Sequence, residues 1–172
     1  MRANSLIVVL VSASLLSGCG YNRIQELDER AEQQQSNVEV ELVNRNNLIP
    51  NLVATVQGAA DFEQGTFTEV AEARSGLEQN REQLATAVEQ GDVGAISEAD
   101  AALARQIGTC INVAVEAYPA LNATQGFLAL QDQLAESENR ISVARRDYNE
   151  SVAQYNTYIR RFPQAITASV IG

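Results

Sequence analysis

Thr124–Arg161 reads TQGFLALQDQLAESENRISVARRDYNESVAQYNTYIRR. Phe127, Leu130, Leu134, Ile141, Ala144, Tyr148, Val152, Tyr155, Ile159 and Phe162 are separated by three, four or seven positions. That spacing keeps them on one face of an α-helix. Pro163 lacks a backbone donor and marks the end of the pattern. At about 1.5 Å per residue such a helix is roughly 57 Å long. A stripe of that length needs other helices to cover it.

Those partners are expected upstream. A first helix is expected from about Tyr21 to Phe62, with Ile24, Leu27, Ala31, Val38, Leu42, Leu48/Ile49, Leu52, Val56 and Ala59 as its stripe. Pro50 interrupts it, and the stripe stays in phase across the proline, so one helix kinked near Asn46–Asn47 is expected. Thr66 and Glu69 are spaced as a capping box for a second helix, striped by Phe67, Val70, Arg74, Leu77, Leu84 and Val88 and closed at Gly91–Gly94. Ser97 and Asp100 are spaced as a weaker box for a third. Its stripe is Ile96, Ala99, Leu103, Ile107, Cys110, Ala114 and Leu121, and Pro119 should stop or bend its last turn. Four amphipathic helices with short connections imply an all-α fold, an antiparallel up-and-down four-helix bundle elongated by its first and fourth helices. Pro50, Pro119 and the Gly91/Gly94 turn argue against a continuous coiled-coil fibre.

The N-terminus has a different composition. Arg2 precedes an apolar run, Leu6–Leu16, and Leu16-Ser17-Gly18-Cys19 resembles the lipobox of bacterial lipoprotein signal peptides. Residues 1–18 are therefore expected to be removed between Gly18 and Cys19, leaving 19–172 as the helical domain. Cys19 would carry acyl chains, and more than one chain is needed for stable anchoring. The alternative is an uncleaved signal anchor, but the run is short against the ~20 apolar residues of a spanning helix. Gly20 in place of Asp after the cysteine resembles the outer-membrane sorting pattern. The expected location is thus the cell envelope, on the outer membrane facing the periplasm if the host is diderm.

Composition removes several function classes. Of 12 basic residues only Arg2 precedes Cys19, so a mature chain carries 11 against 22 acidic residues, a formal charge of −11. No basic stripe stands out, so nucleic acid is not an expected partner, and charge-driven binding to anionic lipid is not expected either. There is no histidine and no tryptophan, and every basic residue is arginine. The commonest general base, the commonest zinc ligand and Schiff-base chemistry are thereby missing. With Cys19 acylated, Cys110 has no intrachain disulfide partner.

Several segments in order resemble the LemA family of bacterial envelope proteins. They include Val38–Val53 with Leu48-Ile49-Pro50-Asn51-Leu52 at its centre, Glu69–Arg74, and Ala117-Tyr118-Pro119-Ala120-Leu121. Phe127–Gln131, Glu138-Asn139-Arg140-Ile141, Ala144-Arg145, Tyr148-Asn149, Tyr155-Asn156 and Phe162-Pro163 complete the series. The chain departs from the family pattern at Ala59-Ala60-Asp61-Phe62, in lacking lysine, and in carrying a lipobox where members commonly have a membrane helix. The resemblance implies an all-helical membrane-attached domain and supplies no catalytic residues.

Two arginines interrupt apolar stripes. Arg45 and Arg74 need partners if buried, and Glu138, Asn139, Asn149 and Asn156 are available. A buried polar layer of Arg45, Arg74 and Glu138 is expected, with snorkelling stems or a ligand site as alternatives. Cys110 reads as a buried inert thiol, and Tyr148, Tyr155 and Tyr158 as packing residues. Glu26, Asp28, Glu29 and Glu32 lack calcium-loop spacing and read as a solvated face. No metal, cofactor or catalytic residue is expected. The expected role is a non-catalytic scaffold or interaction module for other envelope proteins. A carrier of a lipid or small apolar ligand, or a hydrolase using Glu and Tyr, are the alternatives.

Overall fold

The computed structural model describes residues 2–62 and 67–171, with side chains for 20–62 and 67–170. The fold is all-α, and no strand occurs among the described residues. The described residues form six α-helices in order: α1 (Arg2–Asn46), α2 (Ile49–Phe62), α3 (Thr68–Gln90), α4 (Val93–Ala117), α5 (Gln125–Ile159) and α6 (Gln164–Ile171). A 3-10 turn, Pro119–Ala123, joins α4 to α5.

This count corrects the expected four helices at two proline sites. The expected kink at Pro50 is a break. Pro50 has no N–H to offer the Asn46 carbonyl, so the ladder ends there. The Asn47 N–H still reaches Val43 O at 3.0 Å, and the Leu48 N–H tightens onto Arg45 O at 3.0 Å. A new helix starts at Ile49, with Pro50 in its first turn, where a missing donor costs little. Pro163 ends α5 as expected, but the chain turns and resumes as α6.

Helix starts also differ from the capping boxes read in the sequence. Thr66 lies outside the described residues. The residue preceding α3 is Phe67, in extended conformation with no side-chain cap, and its carbonyl takes the N–H groups of Val70 and Ala71. Ahead of α4, Asp92 is the cap, its Oδ1 accepting from Gly94 N at 2.9 Å and Ala95 N at 3.1 Å. The α3–α4 turn pivots on Gly91 at φ 67°, a left-handed conformation that a Cβ disfavours. Ser97 and Asp100 consequently fall inside α4.

The chain forms two compact units, Glu39–Ile141 and the paired segments Met1–Val38 with Ser142–Gly172. The 39–141 unit holds most of the buried side chains. Leu42, Leu52, Val56, Leu77, Leu84, Leu103, Phe127 and Ile141 are all but inaccessible to water. Full burial of each such residue stabilises the fold by about 1.5–3 kcal/mol. α3 and α4 pack closely where Gly76 admits Gln106, whose Nε2 donates to Ala73 O at 3.0 Å. A Cβ at Gly76 would come within 2.7 Å of that nitrogen.

In the other unit the described part of α1 buries Ile24 and Leu27, and α5 buries Ser151, whose hydroxyl donates to Tyr148 O at 2.8 Å. Tyr148, Tyr155 and Tyr158 are half-buried there. α6 backs onto α1, since a methyl group at Gly20 would lie 3.8 Å from Gln164 Cγ and 4.0 Å from Thr167 Oγ1.

Candidate functional site

The strongest concentration of polar chemistry in the 39–141 unit surrounds Arg45. Its side chain is 2% exposed. It leaves the last turn of α1 and meets two carboxylates. Nη2 donates to Asp100 Oδ1 of α4, and Nη1 donates to Glu138 Oε2 of α5 at 2.8 Å. Asp100 is 3% exposed and Glu138 is 56% exposed, so the cluster grades from interior to surface. One guanidinium thereby ties three helices. A desolvated guanidinium is tolerated only with such partners, and its planar fork suits two carboxylates at once.

Three buried polar atoms at or beside this cluster have no hydrogen-bond partner: Arg45 Nε, Asn46 Oδ1 and Ser137 Oγ. Asn46 and Ser137 are the chain neighbours of Arg45 and Glu138. An open groove of about 360 Å3 runs over Ser137, lined also by Glu41, Asn44, Leu48, Gln133 and Arg140.

Arg74 has a different environment. Half-buried on α3, it donates through Nη1 to Gln57 Oε1 of α2, and Gln57 in turn donates to Asp61 Oδ1 at 2.6 Å. The expected single layer of Arg45, Arg74 and Glu138 is therefore corrected. Arg45 and Glu138 are bonded to each other, Glu138 sits at the surface, and Arg74 hydrogen-bonds a neutral amide instead. Cys110 is buried on α4. Burial pushes its thiol up from the ordinary 9.0, against a smaller opposing pull from Arg74. A protonated, enclosed thiol is a poor nucleophile. Gly18 and Cys19, the expected cleavage and lipidation positions, lie outside the residues whose side chains are described.

Asp100 is the partner missed in the sequence. It lies in phase with Ile96, Leu103 and Ile107, an acidic residue on an apolar stripe. That is the signal by which Arg45 stood out. The Ser97–Asp100 spacing, matching a capping box, masked it.

Among the described residues, no group of three or more His, Cys, Asp or Glu side chains is arranged to hold a metal, and no helix is long and apolar enough to cross a membrane. α3 and α4 frame an open groove of about 930 Å3 over Gln79, Glu82, Thr86, Ala87, Ala99 and Arg105. Among the described residues the buried charged side chains are Arg45 and Asp100, and they are paired with each other.

The LemA family model matches residues 34–172, and the chain belongs to the LemA family. Among its relatives are two proteins of Paramagnetospirillum magneticum, magnetosome proteins MamQ 1 and MamQ 2. Each is 30% identical over 188 aligned positions, which cover all of this chain and 68% of the relative. Magnetosome protein MamQ of Magnetospirillum gryphiswaldense is 28% identical over 168 positions, covering 88% of this chain and 61% of that protein.

Proposed function

We propose that this LemA-family chain is an envelope lipoprotein, tethered through Cys19, whose helical body serves as a non-catalytic scaffold for other envelope proteins. The observation that carries the non-catalytic reading is the Arg45–Asp100 pair. The charges buried in the described fold are engaged with each other rather than held ready for a substrate. In this reading Arg45 sets the register of α1, α4 and α5, because any sliding of one helix strands a desolvated charge. The tether rests on Leu16-Ser17-Gly18-Cys19 and the apolar run before it. Relatives named as magnetosome proteins fit a protein that serves an assembled cell structure. Gly20 favours the outer membrane, facing the periplasm, in a diderm host.

Two experiments test it. Cys19→Ser, or treatment with globomycin, is expected to leave an unprocessed precursor; normal processing and membrane retention of the serine form would remove the lipoprotein assignment. Photo-crosslinking in intact cells is expected to return the same envelope proteins in replicate. Recovery of no reproducible neighbour, or turnover of a substrate abolished by altering Glu138, would overturn the scaffold assignment.

A further inference from the structure

The last 22 residues differ in charge from the rest. From Ser151 onward there is no acidic residue, while Arg160 and Arg161 are both present, in a chain of formal charge −10. The sequence continues through Pro163 into α6, which turns its two sides to different surroundings. Gln164 and Thr167 face α1 at Gly20. Ile166 and Val170, one turn apart on α6, are exposed by 58% and 81%, and Phe162, in the turn that precedes the helix, is exposed by 83%. A short helix that sets Gln164 and Thr167 against α1 therefore leaves Ile166 and Val170 exposed, next to the exposed Phe162.

Its location supplies the occupant. Gly20, on which α6 backs, directly follows Cys19, and the apolar run lies just before it. We infer that α6 and the turn leading into it form a second membrane contact: Phe162, Ile166 and Val170 seat in the interface of the bilayer that holds the N-terminus, with Arg160 and Arg161 on anionic head groups. Exposed apolar side chains beside a pair of arginines can bury apolar area at a bilayer surface while the cations stay at the head groups. A local basic pair feels nearby phosphates even when the whole chain is acidic, because charges beyond about 8–10 Å are screened. This inference rests on the proposed membrane attachment, and it revises the expectation that charge plays no part at the lipid surface.

The chain has no tryptophan, so a single introduced indole reports without background. The full-length protein, carrying Phe162→Trp or Val170→Trp, is placed in vesicles of phosphatidylcholine and phosphatidylglycerol with brominated acyl chains. Val143→Trp, exposed on α5 and about 24 Å along that helix from Ile159, serves as the reference. Quenching at positions 162 and 170 is expected to exceed that at 143 by about two-fold or more. Arg160→Gln with Arg161→Gln, or pure phosphatidylcholine, is expected to lower it.

Flotation of the vesicles separates the possible failures. Co-flotation without quenching at 162 and 170 overturns the α6 contact and leaves the attachment standing. Loss of flotation overturns both. A blue-shifted but unquenched indole places these residues against protein rather than lipid and overturns the lipid assignment. Quenching indifferent to the arginines and to lipid charge overturns the head-group contact.

Discussion

Arg45 and Arg74 occupy equivalent places in the sequence pattern, each one helical turn from apolar neighbours, yet they differ in surroundings. Arg45 is buried and meets two carboxylates from other helices. Arg74 is half-buried and meets the amide of Gln57. The difference teaches that depth, not helical phase, decides how much charge compensation an arginine needs. A fully desolvated guanidinium needs an ionised partner, whereas one that keeps some water is served by a neutral oxygen.

This contrast can be broken by substitution. Arg45→Met should destabilise the protein most, by about 3–5 kcal/mol in urea unfolding, because Asp100 then stays buried without its cation. Adding Asp100→Leu to Arg45→Met should restore stability to within about 1 kcal/mol of the parent or above it, since a well-packed apolar pair avoids desolvation altogether. If the double variant is no better than the single one, packing rather than charge governs the site. Arg74→Met should cost about 1.5–3 kcal/mol, the scale of one hydrogen bond from a charged donor, so a loss matching the upper end for Arg45→Met would erase the distinction between the two arginines.

Smaller effects sharpen the picture. Cys110 stays protonated in the folded chain above the pH at which the unfolded chain releases its proton, ordinarily near 9.0. The folded state then binds more protons, so stability should fall as pH rises above about 9, by at most about 1.4 kcal/mol per pH unit. The decline specific to this thiol should vanish in Cys110→Ala, measured by thermal melts across pH 8–10.5. Glu138→Gln should change stability least, by under about 1 kcal/mol, because its carboxylate is largely in water.

Much of the helical plan was legible beforehand. The α5 stripe was read to within two residues at either end, and Gly91 marks the α3–α4 turn as expected. The misreadings fall where local chemistry admits two answers. A stripe that stays in phase across Pro50 is compatible with a kink or a break, and the missing donor to Asn46 favours the break. Ser97–Asp100 has the spacing of a cap, but Asp92 already caps that helix, which frees Asp100 for the interior. α6 leaves little mark in the sequence, because its eight residues make only about two turns.

Helix content, the positions of most turns and the presence of ionic residues on apolar faces are local properties, set by side-chain period, capping groups and proline chemistry, and the chain written as letters is enough to read them. Which carboxylate Arg45 meets is not local. Asp100 lies 55 positions away and Glu138 lies 93 away. Only the packing of α1, α4 and α5 brings them together, because ion pairing depends on distance in space and on the loss of water there.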